Sequence, residues 1–165
     1  VDRASKITNH MRLFGRKSTL SMQETDINDT VRRAFDIFSQ QLKLRGIEVV
    51  WQLEDNLPAI MPDPNKLAQA FINLLLNALQ ASPESGTVFV QLKKDDHVTI
   101  TIQNQGEVPT HIRDVFFEKY ATSDAASGSG LGTYSARLIA RTLGGDIAVD
   151  TSVPNQTSVT VTLPE

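Results

Sequence analysis

Residues 64–82 constrain the fold more than any other stretch of the chain. At about 100° of rotation per helical residue, Leu67, Ala70, Phe71, Ile72, Leu74, Leu75, Leu76, Ala78, Leu79 and Ala81 cover more than half of the circumference. A helix this apolar has to be packed on several sides, not laid on a surface. Asp63-Pro64-Asn65 opens it with proline in the first turn. The narrow arc that remains collects Lys66, Gln69, Asn73, Asn77 and Gln80. Asparagine is a mediocre helix former, so two of them one turn apart need a reason. One reading is a solvated stripe. The other is a ledge of carboxamide oxygens that holds a hard cation, with phosphate and water completing its shell.

The chain around this helix has 165 residues, 40% hydrophobic and 21% charged, which is room for one core and a short appendage. The absence of cysteine excludes a disulfide scaffold, a thiolate zinc site and a cysteine nucleophile. Any metal therefore relies on oxygen ligands or on the three histidines. No apolar run approaches the ~18 residues of a membrane span, and Val1-Asp2-Arg3 does not open a signal peptide. The formal charge of −3 is unevenly distributed. Residues 1–17 set Arg3, Lys6, Arg12, Arg16 and Lys17 against Asp2, a net +4, leaving −7 on residues 18–165. A basic head on an acidic body suits either a nucleic-acid arm or the cut end of a longer protein.

Along the chain, Ile7, Met11 and Phe14 suggest an amphipathic helix over 2–16, and Leu20–Met22 a short strand. A helix runs from Asp26 to Gly46 with Val31, Ala34, Phe35, Phe38 and Leu42 recurring at three and four. Ile47–Leu53 reads as a strand, and Thr87–Lys93 with Val98–Gln103 as a hairpin. Residues 104–110 read as a polar loop, His111–Phe117 as a helical turn, and Ala121–Gly130 as a segment without an apolar anchor. A helix from about Gly132 to Leu143 is closed by Gly144-Gly145, and strands over Asp146–Thr151 and Thr157–Leu163 finish the chain. Helices and hairpins interleave without regular βαβ alternation. The pattern predicts an α+β two-layer sandwich with helices on one face of a mixed sheet.

Gly128-Ser129-Gly130-Leu131-Gly132 leads directly into the helix of Thr133, Tyr134, Ala136, Ile139 and Ala140. Glycines let backbone approach an anion, and the amides at a helix N-terminus favour phosphate. By itself this run fits a flexible linker equally well. It lacks the lysine of a P-loop and does not follow a strand, which argues against P-loop and dinucleotide-binding folds.

In combination these features resemble the ATP-binding catalytic domain of sensor histidine kinases, a branch of the ATPase superfamily shared with gyrase and MutL-type proteins. The likeness covers roughly residues 18–165. Asn73-Leu74-Leu75-Leu76-Asn77-Ala78-Leu79-Gln80-Ala81 resembles the family's asparagine box, which implies that Asn77 coordinates Mg²⁺ and that Asn73 lies beside the phosphate chain. Ile102-Gln103-Asn104-Gln105-Gly106-Glu107-Val108-Pro109 is similar to the first glycine box, where an acidic side chain receives the adenine amine and a glycine lets the ring approach. The corresponding residues are Asn104 and Gly106. Val115-Phe116-Phe117-Glu118-Lys119-Tyr120 resembles the phenylalanine box that hinges an ATP lid, here about 118–130, with Lys119 as a phosphate contact. Residues 127–132 match the second glycine box, whose amides at Gly128, Gly130, Leu131 and Gly132 hold phosphates, and Thr157 corresponds to a threonine that helps to seat adenine.

The resemblance implies transfer of the ATP γ-phosphate to a histidine. In the hydrolysing relatives a glutamate four residues before the magnesium asparagine activates water. Asn73 occupies that place and cannot accept a proton, which favours transfer over hydrolysis. None of His10, His97 and His111 has the flanking pattern of the family's acceptor histidine. Residues 1–17 therefore read as the end of the second helix of a dimerising, phosphoaccepting hairpin, and residues 18–165 as the catalytic domain. That arrangement implies a homodimeric full-length protein in the cytoplasm, alone or as part of a membrane-bound sensor, with a response regulator receiver domain as partner. It implies neither nucleic-acid binding nor direct membrane contact. Three departures stand out: Asn104 replaces an aspartate, the loop after it is one residue shorter and lacks a second glycine, and Asn155-Gln156 replaces the glycine that often precedes the threonine. They keep open a nucleotide-binding or vestigial regulatory module without transfer. A serine kinase of the anti-sigma type is disfavoured by the stem-like helix over 2–16.

Overall fold

Strict alternation of buried and open side chains sets the layering. In the computed structural model, which describes residues 26–54, 57, 62–121 and 130–164, strand β2 (Thr87–Lys94) buries Val88, Val90 and Leu92 while Phe89, Gln91 and Lys93 face out. Strand β3 (Val98–Gln105) buries Val98, Ile100 and Ile102, and β5 (Gln156–Leu163) buries Val159, Val161 and Leu163. With β1 (Glu48–Leu53) and β4 (Asp146–Asp150) they form one sheet in the order β1-β2-β3-β5-β4. The β1–β2 pair is parallel and the other three are antiparallel. A period of two with one apolar face demands a cover on that face only. The outer face is rich in threonine, with Thr101 and Thr160 hydroxyls 3.0 Å apart across the β3–β5 pair.

The cover is helical. The chain leaves β1, runs through α3 (Pro64–Ala81) and returns as β2, a crossover that lays α3 on the sheet. Helix α1 (Ile27–Ile37) flanks it on one side and α5 (Gly132–Thr142) on the other. Phe71 of α3 is completely buried, and Leu67, Ala70, Leu74, Leu75, Ala78 and Leu79 are nearly so. The apolar circumference thus has the several-sided packing that its sequence requires, and the α+β two-layer architecture is as expected. Asp26 and Asp63 cap α1 and α3, accepting from the Asp29 amide and from the Asn65 and Lys66 amides respectively.

Local differences from the sequence reading have physical causes. The helix expected over Asp26–Gly46 breaks at Phe38, where the amide bonds back to Phe35 O at 3.0 Å in a tightened turn. A second helix, α2 (Ser39–Leu44), then starts, and Phe35, Phe38 and Leu42 all remain buried. Strand β3 extends two residues beyond Gln103, because Asn104 and Gln105 pair with Thr157 and Gln156 of β5. The helical turn after the loop is α4 (Thr110–Arg113). The helix over 2–16, the strand at Leu20–Met22 and the stem assigned to 1–17 lie outside the described residues. No helix among the described residues is long and apolar enough to cross a membrane.

Arg45, after α2, closes the C-terminal end of α3. Its Nη1 donates to Leu79 O, its Nη2 to Ser82 O at 2.5 Å and its Nε to Glu84 Oε1 at 2.7 Å. Helix-end carbonyls lack intrahelical partners, and a planar guanidinium answers two of them and a carboxylate at once. Arg45→Ala is expected to lower the stability of the chain by about 2 kcal/mol, read from the denaturant midpoint. Arg45→Lys should not restore it. An unchanged midpoint would mean that water serves these carbonyls equally well.

Candidate functional site

The sheet contributes a polar corner to an otherwise apolar interior. Asn104 and Thr157 sit directly opposite each other on β3 and β5, on the helix-covered face, 4% and 2% exposed. Buried polar groups require partners. Asn104 donates its Nδ2 to Gln105 O at 2.8 Å, so its carboxamide oxygen is the group oriented to accept from elsewhere. Thr157 donates its hydroxyl to Gly106 O at 2.8 Å. The Gly106 amide donates to Asn155 O at 2.8 Å, and the Asn155 amide to Glu107 Oε1 at 2.9 Å. Two turns about fifty residues apart in sequence are thereby tied into one.

Gly106 has a steric reason of its own. At φ +118°, a Cβ there would lie 2.4 Å from Ala81 O, so the loop can rest on the end of α3 only as glycine. Asn155 accounts for one departure from the family pattern: it stands at φ +59°, a left-handed conformation that asparagine tolerates and glycine otherwise supplies. The shortened loop is braced by Arg113, whose Nε donates to Val108 O at 2.9 Å and whose Nη2 lies 3.8 Å from Glu107 Oε2.

The second half of the site lies further back along α3. Asn73 and Asn77 are half-buried on one face, and Gln69 Nε2 donates to Asn73 Oδ1 at 3.3 Å. Gly132, the first residue of α5, meets this face: a Cβ on it would stand 3.9 Å from Asn73 Cβ and Asn73 O. Leu131 occupies the N-cap of α5 and has no side-chain oxygen to offer the first-turn amides. Lys119 places its ammonium 5.0 Å from the centre of the Tyr134 ring, also in the first turn of α5. Gly130 answers a crossing of chains. At φ +71°, its Cβ would fall 2.6 Å from Tyr120 Cα, and Tyr120, itself at φ +62°, donates its amide to Gly130 O at 2.9 Å. Gly128 and residues 122–129 generally lie outside the described residues.

The structure thus brings Asn73, Gly132 and Lys119 around the start of α5, and Asn104, Gly106 and Thr157 around the end of α3. Asn77 lies on the same face of α3 as Asn73, one turn nearer the second group. His97 and His111 are both exposed. Among the described residues no group of three or more His, Asp or Glu side chains is set to hold a metal ion. Among the described residues, the two carboxyls displaced below their usual pKa range lie on β4. Asp146 is held down chiefly by the Ile147 amide, with Arg141 adding to the effect, and Asp150 by Ser152. Sequence reasoning gives no role to Glu107 or Thr133, whose partners Asn155 and Phe116 are 48 and 17 residues away, and treats Asn155 only as a departure from the family pattern. Of these, only the asparagine after Val153-Pro154 carried a signal, that of a left-handed turn.

A mixed sheet covered by a buried helix whose amide face, at Asn73, meets the glycine that starts α5 has a match among known families. Residues 62–165 match the family model for the histidine kinase-, DNA gyrase B-, and HSP90-like ATPases. The chain belongs to that family. Among curated relatives, it is 28% identical over 168 residues to the sensor histidine kinase ZraS of Salmonella typhimurium, an alignment covering 99% of this chain and 36% of ZraS. The chain therefore spans about a third of the length of that relative. Among solved structures, full-length ShkA in complex with AMPPNP superposes with a TM-score of 0.80 at 24% identity, over 96% of this chain and 34% of that one. Histidine kinase ThkA in complex with the response regulator protein TrrA gives a TM-score of 0.80 at 20% identity, over 99% and 47%. These two likenesses are of fold.

Proposed function

We propose that this chain is the ATP-binding catalytic part of a sensor histidine kinase, with residues 18–165 as the catalytic domain and residues 1–17 as the end of its dimerising stem. One observation carries the reading. The Asn104–Gly106–Thr157 corner touches α3 at Ala81 and the start of α5 touches it at Asn73, eight residues away, or about 12 Å of helix. A nucleoside triphosphate covers such a distance between its base and its terminal phosphates. The AMPPNP bound to ShkA and the regulator bound to ThkA support the same reading.

At the base end, the Asn104 oxygen accepts from the exocyclic amine of adenine, and Thr157, fixed through Gly106 O, lines the floor. At the phosphate end, the amides that open α5 at Gly130, Leu131 and Gly132 face the anion, and Lys119 adds a positive charge. Amide oxygens are hard neutral donors suited to Mg²⁺ that is shared with phosphate. Asn77 would hold the ion, with Asn73 beside the phosphates. When bound, Mg²⁺ supplies neutralisation of the charge that develops on the transferred group. Asn73 cannot take a proton from water, so the chain's own groups orient the γ-phosphoryl for an outside nucleophile and do not activate hydrolysis. That nucleophile is the imidazole of a histidine on the dimerisation domain. The phosphoryl group passes next to a response regulator receiver domain, in a cytoplasmic homodimer.

Calorimetry with an ATP analogue should show binding that depends on Mg²⁺. With ATP, the chain should phosphorylate a supplied helical hairpin carrying an acceptor histidine. A second reading, nucleotide binding without transfer, draws on the neutral Asn104 in place of a carboxylate. Tight binding with no transfer to any supplied hairpin would favour it and sink the kinase proposal.

A further inference from the structure

Thr133 follows Gly132 in the first turn of α5 and is 6% exposed. Threonine hydroxyls in helices commonly bond back to the carbonyl four residues earlier. Thr30 does so to Asp26 O and Thr142 to Leu138 O. Thr133 instead reaches across the fold and donates to Phe116 O at 2.7 Å. Phe116 belongs to the segment that carries Lys119; one ring contact stiffens that segment from within and two more tie it to α5. Phe116 and Phe117 meet edge to face at 4.9 Å, the Arg137 guanidinium lies 5.7 Å over Phe117, and Lys119 lies over Tyr134. Of these ties, the Thr133 bond is the one hydrogen bond from an α5 side chain to the backbone of the segment among those described.

We infer that Thr133 is a positioning residue: its hydroxyl holds the backbone at Phe116 against the first turn of α5 and so sets the Lys119 ammonium beside the amide end of that helix. The inference rests on the nucleotide reading proposed above, in which Lys119 and the Gly132 amide face the same phosphates. A buried carbonyl that loses its only side-chain donor turns toward water, and its segment shifts with it. Lys119 is three residues and a flexible stem away from that anchor, and a charge displaced by an ångström or two is a weaker phosphate ligand.

The test is a double-mutant cycle on binding of a non-hydrolysable ATP analogue with Mg²⁺, with adenosine as a probe that carries no phosphate. T133V keeps the shape of the side chain and removes the hydroxyl. It should weaken analogue binding about tenfold, leave adenosine binding unchanged, and be restored by T133S. In a K119A background T133V should add nothing. Should T133V fail to fold, T133A carries the same cycle. An equal loss with and without Lys119, or an equal loss for adenosine, makes Thr133 a structural residue and overturns the inference. Normal binding by both hydroxyl-free variants overturns it as well. Failure of the unmutated chain to bind the analogue is a different result: it removes the nucleotide reading itself, and the inference with it.

Discussion

Asn77→Ala is expected to abolish Mg²⁺-dependent binding of an ATP analogue, with an affinity loss of at least about a hundredfold, while the chain stays folded. The fold survives because Asn77 is half-buried at the margin of the core, while Leu74, Leu75, Ala78 and Leu79 carry the packing of that turn. Alanine is also the better helix former, which offsets part of any lost contact. The binding loss follows from chemistry. No cluster of carboxylates or histidines is available to replace the amide oxygen as a ligand among the described residues. Asn77→Asp, which keeps an oxygen at the same place, should recover part of the binding when Mg²⁺ is present. Unchanged affinity in Asn77→Ala, by calorimetry at matched Mg²⁺, would make the amide face of α3 an ordinary solvated stripe.

Gly106→Ala is expected to lower the stability of the chain by about 3 kcal/mol. The new Cβ would have to sit 2.4 Å from Ala81 O in a backbone with φ +118°, so both the contact and the conformation oppose it. The loop has to lift off α3, which breaks the bonds from the Thr157 hydroxyl to Gly106 O and from the Gly106 amide to Asn155 O. Nucleotide affinity should fall together with the unfolding midpoint. Gly132→Ala is the control, since its Cβ meets nothing nearer than 3.9 Å, and its midpoint should move little. Equal midpoints for Gly106→Ala and the unmutated chain would show that the loop does not need its seat on the helix.

What the sequence disclosed and what it withheld divide along the range of the interactions. Helix α3, its proline start and its amide arc follow from periodicity within eighteen residues. The glycine-led opening of α5 and the hairpin of β2 and β3 are similarly local. The break at Phe38 was not legible, because it depends on which wall of the core Phe35, Phe38 and Leu42 meet. Asn104 has the local signature of a loop, since its place in a strand is conferred by Thr157, fifty-three positions later. Arg45 gave no sign of capping a helix that begins nineteen residues beyond it, and its partners are 34 to 39 residues away. Asn155 looked like a loss from the family pattern until its φ showed that it performs the same turn.

The strand order β1-β2-β3-β5-β4 places the strand that comes last among the described elements inside the sheet, between two that precede it. Thr157 rides on that strand. During synthesis, therefore, β3 and β4 wait with unpaired edges until β5 emerges to slot between them, and closure over such separations is slow relative to helix formation. The corner proposed above to seat the base, with Asn104 on β3 and Thr157 on β5, is completed only by that insertion. On that proposal a nascent chain would have no complete seat for adenine until its sheet was whole, which makes nucleotide affinity a report on the completion of folding.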